Sequence, residues 1–365
     1  MRSPLDAAPP HLRIGVDADN VMHDRRGIGR YVRALLRRWL ASDEDLDLTM
    51  LVSHPFPGMM TKRVATALGV ARVAVANRSY ARRRGFDVVW HPWNGIFFRT
   101  DCRDVATIHD VWPFVDAPAD DPALARHRQE PFLHAASRAS RIITDSEFSK
   151  SEIVRHLGVG DARISVIPLG VDPGLLDARP DRVRITGADR FVLFVGEAEA
   201  RKDLSTLMQA MSMLPEEIRT TTALVIVGKR AASSTIPGGV RVDFAGELDD
   251  ERLASLYSSA AVFAFPSRYE GFGLPVLEAM AFGAPVVASD AASIPEAGGD
   301  AALYFHAGDA RALAAQLERV LTDNALAQQL REKGLERAAF MSWDRCASAT
   351  LRVLRKTAAA SLASH

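Results

Sequence analysis

The sequence predicts an α/β protein made of two doubly wound, Rossmann-like units, one following the other. Three observations carry this reading. Short apolar runs alternate with helical patterns over the first half, as parallel strands joined by helical crossovers require. The alternation breaks between Gly170 and Arg190, where Pro173, Pro180 and Gly187 fall among charges, and it then starts again. At 365 residues the chain has the length of about two domains, and a hydrophobic content of 48% suffices for two cores.

In the first half the expected strands are Leu12–Asp17, Leu48–Val52, Phe86–Trp90, Val105–His109 and Arg141–Thr144. A helix carrying Leu35, Leu36, Trp39 and Leu40 on one face follows the first of them. In the second half the expected strands are Phe191–Val195, Leu224–Val227, Val242–Phe244, Ala261–Pro266 and Pro285–Ala288. Continuous apolar runs of this kind suit parallel strands buried on both faces. Beyond Ala310 come two helical stretches, the last from about Ser342 to Ala359, with Ser342 as N-cap and Trp343, Leu351 and Leu354 as apolar anchors. The expected boundaries are residues 1–172, 173–341 and 342–365. The tails Met1–Pro10 and Ser361–His365 read as unstructured.

Bulk properties exclude several classes. The formal net charge is zero, which argues against a dedicated nucleic-acid binder. The two cysteines, Cys102 and Cys346, are far apart and in unlike contexts, so neither a disulfide framework nor a zinc site is suggested. No apolar run is long enough to span a membrane, and Met1–Pro10 lacks the apolar core of a signal peptide. The expected location is cytoplasmic, peripheral to a membrane at most.

The most informative segment is Arg268–Met280. An apolar strand runs into Glu270-Gly271-Phe272-Gly273-Leu274-Pro275, and the helix that follows carries Glu278 and stops near Gly283. Backbone amides of Gly273 and Leu274 at the helix start favour an anion such as a pyrophosphate. Glu270 and Glu278 cannot hold phosphate and need hydroxyl donors, which a nucleotide sugar offers on both sides of its pyrophosphate. An acid near a helix start also occurs simply as a charge complementing the dipole, and that reading stays open for Glu278 taken alone.

This segment resembles the Glu-x7-Glu motif of the family 4 retaining glycosyltransferases. The resemblance implies the GT-B fold, in which two facing Rossmann-like domains enclose a cleft and the final helix returns to the first domain. It implies transfer of a hexose, mannose-like or 6-deoxy, from a nucleoside diphosphate sugar to a glycan or lipid-linked saccharide acceptor in bacterial polysaccharide synthesis. No cofactor is implied. Gly196-Glu197-Ala198-Glu199-Ala200-Arg201-Lys202 is similar to the family's Gly-x-x-x-x-Arg-Lys form, although Glu197 and Asp203 stand where other members often carry Thr or Arg, and Asn. Arg201 and Lys202 would hold the leaving diphosphate. Glu270 would read the sugar hydroxyls and Glu278 the ribose. His109 would contact the transferred sugar, with Asp110 orienting it or capping the next helix. The loops at Gly228-Lys229 and Gly246-Glu247-Leu248 would line the base and ribose, beside Gly271 and Phe272.

Gly27 and Gly29 open the first long helix and let backbone approach a ligand, but Val32 stands where a dinucleotide fingerprint needs its third glycine. His91 and Asn94 are acceptor-side candidates. Asp145–Ser151 reads as a helix N-terminus supporting the domain interface. Asp17 and Asp19 suggest a metal pair, but the spacing supplies no third oxygen ligand. Arg30, Arg33, Arg37 and Arg38, with Arg82–Arg84, offer contact with anionic lipid. Two other functions remain open: a nucleotide-sugar epimerase of the same fold, and an inactive transferase-like subunit that binds a partner.

Overall fold

A computed structural model describes residues 11–24, 27–82, 85–117, 120–171, 188–197, 199–228 and 239–362. The chain divides into two compact units, Met1–Pro168 with Trp343–His365, and Leu169–Ser342. The expected break around Pro173, Pro180 and Gly187 lies outside the described residues. Among the described residues, no helix is long and apolar enough to cross a membrane.

The first unit holds β1 (Leu12–Asp17), β2 (Leu46–Val52), β3 (Ala74–Asn77), β4 (Val88–His91), β5 (Asp104–Thr107), β6 (Arg141–Thr144) and β7 (Ile164–Val166). They pair in parallel in the order β3-β2-β1-β4-β5-β6-β7. Parallel pairing demands helices on both faces, and the helix Gly27–Ala41 buries Tyr31, Val32, Leu35, Leu36 and Trp39. The helix Trp343–Leu362 belongs to this unit too. Trp39 Nε1 donates to the Ala347 carbonyl at 3.2 Å, Arg38 pairs with Asp344 at 2.5 Å, and Arg355 pairs with Glu44 at 2.6 Å. Leu351 and Leu354 are buried beneath these polar ties.

The second unit holds β8 (Arg190–Val195), β9 (Thr222–Val227), β10 (Arg241–Gly246), β11 (Val262–Phe265), β12 (Val286–Ser289) and β13 (Ala302–Phe305). They are again parallel, in the order β10-β9-β8-β11-β12-β13. Phe194, Leu207, Met211, Leu313 and Leu317 centre its core. In each sheet the winding reverses direction once, between β1 and β4 and between β8 and β11. Open α/β sheets bind ligands beyond the carboxyl ends of strands at such a reversal.

Three strands, β3, β7 and β13, are absent from the sequence reading, and all three are sheet edges. They are short, at four, three and four residues. With one neighbour each they need little apolar sequence. Residues beyond Ala310 form three helices, Ala310–Thr322, Asn324–Phe340 and Trp343–Leu362. Asp323 separates the first two and caps the second, accepting from the Leu326 amide at 2.9 Å. The strand expected to run through His109 stops at Thr107, because the His109 amide donates to Asn94 Oδ1 at 2.6 Å instead of to a neighbouring strand.

Candidate active site

The winding reversal of the second unit brings two loops together. One leaves β8 through Gly196 and makes a short turn at Ala200–Lys202. The other leaves β11, whose ladder Pro266 cannot extend, and reaches the helix Leu274–Ala281 through Gly273. Gly273 has φ +103°, a conformation that a side chain resists, and Gly283 ends the helix at φ +73°. The loops are pinned to each other. The Arg268 amide donates to the Arg201 carbonyl at 2.7 Å, and Arg268 Nε donates to Asp203 Oδ2 at 2.7 Å. Asp203 has φ +48°, which an acid tolerates, and it also accepts from the hydroxyls of Ser205 and Thr206. Asp203, a departure from the family pattern, is thus a latch between the loops.

Inside this frame Glu270 lies between the two cations. Lys202 Nζ donates to its Oε1 at 2.6 Å and Arg201 Nη1 to its Oε2 at 3.2 Å. Arg201 Nε donates to Glu199 Oε2 at 2.7 Å. Lys202 and Glu270 are both buried, and Nζ sits 5.2 Å from the centre of the Phe265 ring. Ser293 Oγ donates to the Glu270 carbonyl at 2.8 Å, fixing where the carboxylate starts from. Glu270, Arg201 and Lys202 therefore form one ion-pair cluster.

Glu278 is the fifth residue of the helix Leu274–Ala281, past its first turn, so a dipole-complementing role does not account for it. It is buried and accepts from Tyr257 Oη at 3.3 Å. Tyr257 is itself packed against Phe263 and stacked on Phe282. Gly271, Phe272 and Leu274 line the same turn and are buried.

Gly196, Gly228 and Gly246 close three neighbouring strands. The Gly196 amide donates to the Val227 carbonyl and the Gly228 amide to the Gly246 carbonyl, each at 2.9 Å. Gly228 has φ +132°, and a β-carbon there would lie 2.2 Å from the Gly196 carbonyl oxygen. Leu248 is half-buried just beyond. Lys229 lies outside the described residues.

In the first unit His109 is buried, and both ring nitrogens face acceptors. Nδ1 donates to Asp145 Oδ2 at 2.7 Å and Nε2 to the Pro92 carbonyl at 3.2 Å. A neutral imidazole carries one proton, so two acceptors favour the charged ring. Burial pulls the pKa down, but the charge and hydrogen bond of Asp145, helped by Pro92 and Asp110, outweigh it and hold the pKa above 6.5. Tyr31 packs edge-on at 4.9 Å.

The orienting acid is Asp145, not Asp110, whose Oδ1 caps the next turn by accepting from the Trp112 amide at 2.9 Å. The sequence offered a signal for it: Asp145 follows β6, the strand beside the one that leads to His109. Because the folded pKa is raised, the paired His109 adds stability that is fully present below about pH 6.5 and is lost as pH rises through the folded pKa. In Asp145→Asn burial acts without its counterweight, so the His109 ring should titrate at lower pH than in the wild type. Ring-proton NMR reads this directly, and coincident curves would refute the pairing.

The remaining described candidates belong to the first unit. His91 lies inside β4, fully buried, with Nε2 3.0 Å from Asp104 Oδ1, and presents no surface to an acceptor. Asn94 takes φ +62° and spends its side-chain oxygen on the His109 amide. Gly27 starts its helix, and Gly29 is needed by the chain itself, since a β-carbon there would lie 1.9 Å from the Asp24 carbonyl oxygen. Asp17 and Asp19 share the Arg78 guanidinium, each at 2.9 Å, in an ion-pair bridge. Of the arginines offered to lipid, Arg33 donates to the Asp24 carbonyl, Arg37 to the Leu68 carbonyl and Arg38 to Asp344. Arg83 and Arg84 lie outside the described residues.

Two family descriptions match the chain: Glycosyltransferase Family 4 over residues 25–175 and Glycosyl transferases group 1 over residues 178–337. O-antigen chain mannosyltransferase B of Escherichia coli is 27% identical over 380 residues, covering 94% of this chain and 100% of that one. Serotype-specific mannosyltransferase WbdA of Escherichia coli is 28% identical over 260 residues, and the match spans 66% of this chain but only 32% of that larger protein. Among solved structures, sucrose-phosphate synthase from Thermosynechococcus elongatus superposes with a TM-score of 0.72 at 21% identity, over 96% of this chain and 100% of that one.

Proposed function

Because the chain belongs to the family 4 glycosyltransferases and has their two-domain GT-B fold, we propose that it moves a mannose-like hexose, with retention, from a nucleoside diphosphate sugar to a saccharide acceptor. The observation that carries the reading is the cluster of buried Glu270 and Lys202 with half-buried Arg201 at the winding reversal of the second unit, Glu270 standing eight residues before Glu278. Mannose and bacterial polysaccharide synthesis are favoured by the names of the two Escherichia coli relatives. The acceptor is a glycan or a lipid-linked saccharide.

In the reaction the bond between the anomeric carbon and the diphosphate oxygen breaks, and its electron pair stays on that oxygen. Arg201 and Lys202 stabilise the developing charge, which is the task a metal ion performs in other transferases. The acceptor oxygen bonds to the anomeric carbon from the same face, and its proton passes to the departing phosphate. Glu270 accepts from sugar hydroxyls, and Glu278, held by Tyr257, accepts from the ribose.

A thermal-shift series with GDP, UDP, ADP and their sugars tests the donor site. GDP-mannose should raise the melting temperature most, and Glu278→Ala should weaken that response by about tenfold in affinity, the scale of one lost charge-assisted hydrogen bond. A protein stabilised by none of these nucleotides has no donor site of this kind.

A further inference from the structure

We infer that Glu270 competes with the donor's diphosphate for Arg201 and Lys202, so that the site favours a nucleoside diphosphate sugar over the nucleoside diphosphate left after transfer. This rests on the donor reading above and adds which of the two ligands the site prefers.

The two cations that would meet a diphosphate already have anionic partners. Lys202 is held by Glu270 at 2.6 Å, and Arg201 is divided between Glu270 at 3.2 Å and Glu199 at 2.7 Å. Two positive and two negative side chains sum to zero, so an arriving diphosphate meets a neutral group and must draw the cations away from their carboxylates. Glu199 is partly exposed and can turn to water. Glu270 cannot, because its side chain is only 10% exposed. Its backbone is tied by Ser293 at 2.8 Å, and its loop is tied to the Arg201 carbonyl at 2.7 Å. A buried carboxylate that loses its donors bears its desolvation cost unrelieved.

A nucleotide sugar relieves that cost, since hydroxyls on the sugar replace Lys202 as donors to Glu270. A bare nucleoside diphosphate brings no hydroxyl to that position. Either Glu270 is left without donors, or it keeps Lys202 and the diphosphate is held less firmly. After transfer the sugar leaves with the acceptor, Glu270 regains its claim on Lys202, and the spent nucleotide is displaced. Glu270 is on this account a specificity-determining residue as well as a reader of sugar hydroxyls.

Calorimetric titration of the full chain with inorganic pyrophosphate, GDP and GDP-mannose tests this in the wild type, Glu270→Gln and Glu270→Asp, after melting curves establish that each is folded. Glu270→Gln should bind pyrophosphate and GDP at least tenfold more tightly than the wild type, while GDP-mannose gains less. Glu270→Asp, whose shorter side chain draws the carboxylate off Lys202, should fall between, and it carries the test if Glu270→Gln fails to fold. Equal affinity for pyrophosphate and GDP in all three proteins overturns the inference and leaves the donor reading standing. Absence of binding by any ligand to any of the three overturns the donor reading itself.

Discussion

Replacing Lys202 with methionine is expected to lower the rate of transfer at saturating donor by about 10²–10³-fold, the scale of removing one preorganised donor from a developing oxyanion. Methionine keeps an unbranched apolar side chain and removes only the ammonium group, which lies 5.2 Å from the centre of the Phe265 ring. Glu270 still accepts from Arg201 at 3.2 Å, so its carboxylate is not stranded and the fold should survive. The lost term acts on charge that grows as the diphosphate departs, so the effect should appear in kcat more than in KM. Arginine is no safe replacement, because its planar fork is bulkier than the compact ammonium that this buried position holds. Steady-state kinetics with GDP-mannose checks this. A kcat within threefold of the wild type would remove Lys202 from the leaving-group machinery.

Gly228→Ala is expected to be the most damaging small substitution in the second unit, at a cost on the order of 4 kcal/mol from backbone strain and overpacking together. The new β-carbon would sit 2.2 Å from the Gly196 carbonyl oxygen; that oxygen is backbone and a β-carbon's place is set by the backbone, so neither yields by changing rotamer. Gly246→Ala is the matched control. It also has positive φ, +70°, but nothing lies within 4 Å of its would-be β-carbon, so it should cost only about 1–2 kcal/mol. Denaturant midpoints at equal m-value compare the two. Equal losses would mean that conformation alone, and not the close approach of two strand ends, governs these positions.

The fold class was legible because parallel strands buried on both faces write themselves as unbroken apolar runs, as Val192–Val195 and Val262–Phe265 do. Edge strands such as Ala74–Asn77 escape because one neighbour and partial exposure impose no such run. Glycines were legible as positions needing space, but not for whom. Gly29 makes room for the Asp24 carbonyl and Gly228 for the Gly196 carbonyl, and sequence cannot tell a close-packed backbone from a close-bound ligand. Chain-distant pairs were the least legible. His109 meets Asp145 across 36 positions, and Glu270 meets Lys202 across 68, because adjacent strands bring their carboxyl ends together whatever their separation in the chain. The sequence suggested a carboxylate for hydroxyls and cations for phosphate as separate partners. That each already holds the other is visible only in three dimensions.

The return of Trp343–Leu362 to the first unit bears on the order in which the protein matures during synthesis. The second unit is continuous from Leu169 to Ser342, so every residue it needs has been made before the last helix appears. The first unit begins earlier yet finishes later. Until Ala347 arrives, Trp39 lacks the carbonyl that its indole donates to, and the apolar surface awaiting Leu351 and Leu354 stays wet. The amino-terminal body therefore stays unfinished until the helix Trp343–Leu362 has been made, a closure that spans 308 positions from Trp39 to Ala347. The amino-terminal half of this protein is the one that a folding chaperone has the longest opportunity to hold.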